Sequence, residues 1–304
     1  MTPGGRHRLA LVLLAVYPAM LATNMLAARA WADLWPPFAL AFWRWAITLL
    51  LLLPLVGGTL WRQRRILRAE WRDLFLLGLL GMFVCGAFVY VGADTTTATN
   101  IGVIYASAPI FILLVATFAF GESLRGRQVL GVLLSLFGVL VVLAKGRLQS
   151  LLALQFTPGD LWILSAAISW GLYSVLVRYR PSRLDSMTRF AASCVFGLLC
   201  LLPFHLVELA RGEVPPLTVE GIAVVMVIAV VASFAAYQTY GFLLSELGAN
   251  VAGLMLYLGP LYTAGLAALL LGEELHAYHA AGLALVFPGV LLATARRKAP
   301  VPRT

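Results

Sequence analysis

Two stretches of the chain are copies of one another. Residues 100–138 read NIGVIYASAPIFILLVATFAFGESLRGRQVLGVLLSLFG, and residues 250–289 read NVAGLMLYLGPLYTAGLAALLLGEELHAYHAAGLALVFPG. Pro109, Gly121, Glu122, Gly131 and Gly138 recur 151 positions later as Pro260, Gly272, Glu273, Gly282 and Gly289. Upstream, Tyr90 and Asn100 recur 150 positions later as Tyr240 and Asn250, so one inserted residue accounts for the slip. Apolar residues at helical spacing match easily by chance. A proline, a Gly-Glu pair and two glycines in register are a stronger signal, and a duplication on this scale governs the architecture.

The solvent of the fold follows from composition. The 304 residues are 62% hydrophobic and 12% charged, against about 45–50% and about 25% in soluble domains. The chain is therefore an integral membrane protein. Apolar runs near the roughly 17–25 residues needed to cross a bilayer fall at about 9–28, 37–56, 74–93, 99–120, 127–144, 160–178, 188–207, 221–243, 250–271 and 278–295. We number them spans 1 to 10. Span 1 has signal-peptide features, with Arg6 and Arg8 ahead of it and Ala28-Arg29-Ala30 as a cleavage-like site. Its long apolar core, and the match of Arg29 to Arg180 at the end of span 6, favour a retained helix.

Charge placement orients these spans. With the N-terminus cytoplasmic, seventeen of the 22 basic residues fall in cytoplasmic segments, Arg62, Arg64, Arg65, Arg68 and Arg72 forming the densest group. The outer segments hold only Arg29, Lys145, Arg147 and Arg211. This is the positive-inside pattern, with both termini cytoplasmic, and it assigns the basic excess to topology rather than to nucleic acid. Five spans followed by a copy of five must enter the membrane from opposite sides. The expected fold is all-α, with ten transmembrane helices as two inverted five-helix repeats, residues 1–147 and 158–298, around a central cavity. Inverted halves that rock about a midplane site are a physical route to alternating access.

Chemistry of other kinds is missing. No Walker loop, HExxH, GxSxG or CxxC pair occurs, so no cofactor or metal is expected and enzyme activity is disfavoured. Cys85, Cys194 and Cys200 lie in apolar runs and read as reduced packing residues. The cluster Glu273-Glu274-Leu275-His276…His279 reads as a solvated helix start. The glycines of the two Gly-Glu pairs read as helix stops, with each glutamate favouring the N-terminus of the next helix. Gly131 and Gly138, and Gly282 and Gly289, lie seven apart on one face, which predicts close packing of spans 5 and 10.

Polar groups inside spans are candidate sites. Arg44 in span 2 has three readings: an anion ligand, a partner of backbone carbonyls, or a side chain snorkelling outward. No acidic residue lies near the middle of a span, which favours facilitated diffusion over proton antiport. The candidate substrate-binding residues are Trp170, Gln238, Asn24, Tyr90, Tyr105, Tyr237, Tyr257 and Tyr173, with Ser107 and Asn250 among the other polar groups. Aromatic side chains also pack between helices and form interfacial belts, whereas the buried amides of Asn24 and Gln238 must find partners. Together they would suit a neutral or zwitterionic metabolite with an apolar part. Pro109 and Pro260, at matched positions, are hinge candidates, and Pro18 can kink its helix.

The Pro37-x6-Arg44 spacing, the ten spans and the Pro…Gly-Glu…Gly pattern of spans 4–5 and 9–10 resemble the EamA-type exporters of the drug/metabolite transporter superfamily. The resemblance implies a cavity lined mainly by spans 1, 3, 4, 6, 8 and 9. Span 7 departs from the pattern, since Arg189 is a poor counterpart of Arg44. Within the family the chain is similar to YddG-type exporters of aromatic and other amino acids. That implies a bacterial inner-membrane exporter, with amino acids or similar small metabolites as substrate, the lipid bilayer as its surroundings and a monomer sufficient for function. A drug or quaternary-cation exporter, proton-coupled, is the alternative within the class; a membrane-embedded enzyme or a structural protein is the alternative outside it.

Overall fold

Backbone amides in a bilayer find no water, so each apolar run must satisfy them internally, and a helix does this. The computed structural model describes residues 3–121, 126–147 and 157–294, and among them every regular element is helical. The helices are α1 (Pro3–Ala30), α2 (Pro37–Arg62), α3 (Arg64–Ala69), α4 (Trp71–Leu77), α5 (Cys85–Ala93), α6 (Ala98–Tyr105), α7 (Ala108–Phe120), α8 (Gly126–Leu143), α9 (Pro158–Tyr179), α10 (Ser186–Ala210), α11 (Val219–Val227), α12 (Ala236–Leu271) and α13 (Ala277–Thr294). Two π-helical segments, Gly78–Val84 and Ile228–Ala235, join α4 to α5 and α11 to α12. Among the described residues, seven helical stretches are long and apolar enough to cross a membrane.

Local chemistry sets the helix starts. Pro37 opens α2 at a position where a missing N–H costs nothing. Thr97, Thr157, Asp185 and Thr218 cap α6, α9, α10 and α11, each side chain accepting a backbone N–H three residues on. Gly121 and Gly272 end α7 and α12 at φ 69° and 66°, a left-handed conformation that only glycine adopts freely. The predicted glycine stops hold in both copies. The predicted role of the following glutamate does not hold for Glu273. Its carboxylate accepts Ala98 N at 2.8 Å, Thr99 N at 3.1 Å and Thr99 Oγ1 at 2.8 Å, so it caps α6 rather than the helix that follows it. Glu122 lies outside the described residues.

The copies differ where the chain has its one-residue slip. Span 4 is broken at Ala106–Ser107, just ahead of Pro109, which has no N–H with which to continue the helical hydrogen bonds. The matched stretch around Pro260 runs inside α12 without a break. That helix also continues through residues 244–249, where the sequence predicts a boundary between spans. A lone Gly248 and the polar Ser245 and Glu246 do not stop a helix that contains no proline before Pro260.

Packing is reciprocal between the copies. The first π segment packs on α9 and α10, and the second, beginning 150 residues later, packs on α1 and α2. α8 and α13 pack along the glycine seam. A Cβ on Gly138 would stand 2.8 Å from Gly282 O and 2.8 Å from Val286 Cγ2, so the backbones approach as the seven-residue spacing predicts. Contacts between helix ends fall into two groups. One group joins Glu208 to the first amides of α2 (Phe38 N 2.8 Å, Ala39 N 2.7 Å), Arg29 to Ala93 O (3.2 Å) and Glu273 to α6. The other joins Glu70 to Ser182 and Arg183 N, and Arg180 to Asp73 at 3.4 Å. These are the two faces of the bundle.

Candidate substrate site

Arg44 sits two turns into α2, and a helical side chain leans toward its own N-terminus. It does not snorkel: the residue is 6% exposed. Nor does it bind carbonyls. Its Nε donates to Ser233 Oγ at 2.6 Å and its Nη1 to Tyr90 OH at 3.1 Å. Tyr90 OH in turn donates to Asn24 Oδ1 at 2.8 Å. The guanidinium carbon lies 4.6 Å from the Trp45 ring centroid, a cation–π distance. Among the described residues no carboxylate reaches Arg44.

The π-helical backbone positions Ser233, whose hydroxyl donates to Ile228 O at 3.3 Å, five residues back. Such segments concentrate at functional sites. Aromatic rings continue the site from the guanidinium. Trp45 meets Phe190 edge-on at 6.1 Å and Tyr237 at 6.4 Å, and Phe190 stacks on Tyr237 at 4.2 Å. Tyr105 OH lies 3.4 Å from Cys85 Sγ, and Trp170 stacks on Tyr173 at 5.2 Å. Tyr237 lies in the neighbourhood of Tyr173, Cys85 and Arg44, and Tyr105 in that of Cys85, Arg44 and Tyr237.

Six of the predicted residues are therefore placed around one centre: Asn24, Tyr90, Tyr105, Tyr173 and Tyr237 through direct contacts or proximity, and Trp170 through Tyr173. Gln238 is half-buried and makes no hydrogen bond among the described residues. The side chains of Tyr257 and Pro109 lie outside the described residues, and Pro260 is buried within α12. Ser233 and Phe190 escaped sequence reasoning. A serine in an apolar run ordinarily satisfies itself on its own helix, and one phenylalanine among 16 carries no mark. Arg189, at the matched end of the other copy, instead donates to Val177 O and Arg180 O at the end of α9.

Acidic side chains stand at the helix ends. Asp160 opens α9 fully buried and accepts Thr96 Oγ1 at 2.5 Å and Asn100 Nδ2 at 3.3 Å. Asn100 Oδ1 meets His279 Nε2 at 3.1 Å. His279 is thus buried rather than a solvated helix start, because Asn100 of the first copy covers it. Among the described residues no group of His, Cys, Asp and Glu is arranged to hold a metal. At the same face, burial and then Asp33 raise the Asp94 carboxyl above its ordinary value, with Arg29 opposing them.

The EamA-like transporter family matches residues 8–144 and again residues 157–295. The chain belongs to this family. Among EamA relatives, an uncharacterized transporter of Archaeoglobus fulgidus is 29% identical over 86% of this chain and 89% of its own length. The uncharacterized transporter YyaM of Bacillus subtilis is 24% identical over 85% and 84%. A WAT1-related chloroplastic protein of Arabidopsis thaliana is 24% identical over 73% of this chain and 54% of its own. A solved crystal structure, 22% identical, superposes with a TM-score of 0.61 over 94% of this chain and 96% of that one, a likeness of fold alone. The protein is accordingly a multi-pass membrane transporter of the EamA type, a family that implies a small-molecule substrate.

Proposed function

We propose that this EamA protein exports amino acids, aromatic ones among them, across a bacterial inner membrane by alternating access and facilitated diffusion. The observation that carries the reading is the Arg44–Tyr90–Asn24 chain set beside the Trp45, Phe190 and Tyr237 rings. It offers hydrogen-bonding tips and apolar faces at one place, with no carboxylate among the described residues. Such a lining fits a zwitterion with an apolar side chain. Two inverted five-helix halves, 1–147 and 158–298, are the architecture behind it. The π segments 150 residues apart, the reciprocal packing and the two groups of helix-end contacts support that architecture. The arginine-rich segments put both termini in the cytoplasm. A monomer contains the whole site.

A quaternary-cation exporter would use the same rings, but Arg44 opposes it, because a buried positive charge repels a cationic ligand strongly in a low-dielectric site. Counterflow in proteoliposomes with a panel of labelled amino acids tests the proposal. Exchange of aromatic amino acids is the expected result, and transport of a cationic dye with no amino-acid flux would reject it. Trp170→Ala and Gln238→Ala should each abolish flux while the protein still inserts and folds. Unchanged flux in both removes them from the site, and acceleration by a pH gradient removes facilitated diffusion.

A further inference from the structure

We infer that Arg44 is a carboxylate subsite, and that an arriving carboxylate takes the guanidinium edge that faces Ser233. The inference rests on the transporter reading above and specifies which part of the substrate is recognised, and by what.

A guanidinium carries five N–H donors and no acceptor. Arg44 uses two of its three nitrogens on neutral hydroxyls, and among the described residues Nη2 makes no hydrogen bond. Yet Nη2 is not among the buried polar atoms sealed off without a partner, as Trp45 Nε1 is. The residue as a whole is 6% exposed. A full charge inside a membrane protein, held by two hydroxyls and a ring face, is incompletely compensated. An anion completes it. Arginine also matches a carboxylate better than lysine would, through two parallel N–H donors. A phosphate would call for further cations, and among the described residues the cluster supplies only Arg44.

The fork has two edges. Pairing through Nη1 and Nη2 would displace Tyr90, and pairing through Nε and Nη2 would displace Ser233. Ser233 is the easier to release. Both hydroxyls also donate elsewhere, Ser233 to Ile228 O at 3.3 Å and Tyr90 to Asn24 Oδ1 at 2.8 Å, but a serine hydroxyl leaves by one side-chain rotation, whereas Tyr90 would have to move a ring that is 2% exposed. Tyr90 stays tied to Asn24 and to Nη1. The rings of Trp45, Phe190 and Tyr237 then receive the apolar side chain beside the bound carboxylate. Because Arg44 is on α2 and Ser233 on the second π segment, loading exchanges a link between the two copies for a link to substrate.

The test compares ligands in the unaltered protein, so it does not depend on variants folding. Proteoliposomes exchanging labelled phenylalanine are challenged with phenylalanine, 3-phenylpropionate, phenylalaninamide and phenethylamine. The two carboxylates should compete at least about tenfold better than the amide and the amine, the scale of a lost charge-assisted contact. Equal competition by phenylalaninamide overturns the subsite while leaving amino-acid export standing. If phenylalanine is not exchanged, the export reading fails, and thermal stabilisation in detergent by the same four compounds decides the subsite separately. Stabilisation by both carboxylates alone upholds it, and no such selectivity overturns it. Arg44→Gln should erase the discrimination in either assay. Ser233→Ala should bind 3-phenylpropionate as tightly as the unaltered protein or more tightly; a tenfold loss would mean that Ser233 is a ligand and overturn its release.

Discussion

Glu273 and α6 are far apart in sequence, and the cap between them has a calculable worth. The carboxylate takes the N–H groups of Ala98 and Thr99, while Thr97 takes that of Asn100 at 3.1 Å. Ala98 and Thr99 are 0% and 1% exposed, so their amides cannot turn to water when the carboxylate is removed. Each buried amide left without a partner costs about 1–3 kcal/mol, and the lost charge at a helix N-terminus adds about 0.3–1 kcal/mol. Glu273 itself is half-buried, and water entering its place recovers part of this. We expect Glu273→Ala to cost about 2–4 kcal/mol, and Glu273→Gln, which keeps one acceptor, about half as much. For a chain of this size the alanine loss corresponds to a Tm lowered by roughly 3–6 °C. Detergent-solubilised variants heated at one fixed rate give the comparison, because membrane-protein unfolding is commonly irreversible. Glu274→Ala, on an exposed neighbour, is the control and should leave Tm unchanged. If Glu273→Ala melts with the Glu274 variant, the cap contributes nothing and the reasoning from buried amides is wrong.

The glycine seam makes a sharper contrast. Gly138→Ala places a methyl 2.8 Å from Gly282 O and should cost about 1–3 kcal/mol, whereas Gly58→Ala, in open space within α2, should be neutral or stabilise by up to about 1 kcal/mol. Equal melting of the two variants would remove the seam as a determinant of packing. Asp185 caps α10 outside the membrane spans, and bonds from Thr188 Oγ1 (2.5 Å) and Thr188 N (3.0 Å) hold its carboxyl below the ordinary range. With the folded pKa below the unfolded one, its contribution is whole above about pH 4 and fades as pH falls through the folded value. Asp185→Asn should therefore flatten the loss of Tm between pH 5 and 3, and an unchanged slope would show that Asp185 is not responsible.

The membrane class of the protein, the helical character of its apolar runs, the glycine stops and the α8–α13 seam were legible because each rests on local chemistry, whereas the boundary between spans 8 and 9 was not where the sequence put it. Apolar length decides solvent, a positive φ demands glycine, and small residues on one face permit close approach. What was not legible depends on partners distant in sequence. Glu273 was read as serving the helix beside it, but its amides lie 174 and 175 residues away. His279 was read as solvated because nothing near it in sequence announces Asn100. The π segments GLLGMFV and IAVVASFA are ordinary apolar sequence. Of the candidate site, Asn24 and several tyrosines were named from the sequence, but Trp45, Phe190 and Ser233 were not, and neither was the hub. Arg44 was visible as an ion in a span, yet only the fold shows it held by hydroxyls from two other elements.

The broken and unbroken copies of the proline helix have one more consequence. In the reading with two inverted halves, equivalent segments that differ in shape admit two assignments of those shapes. The chain breaks the helix of its first copy at Ala106–Ser107 and carries that of the second through Pro260 without a break. Exchanging the assignments would give a conformer with α6 and α7 fused and α12 broken. Spin-label distances across each proline that stay fixed as substrate is added and withdrawn would exclude the exchange. On that reading, the one residue inserted between Asn250 and Pro260 is what tells two otherwise equal states apart.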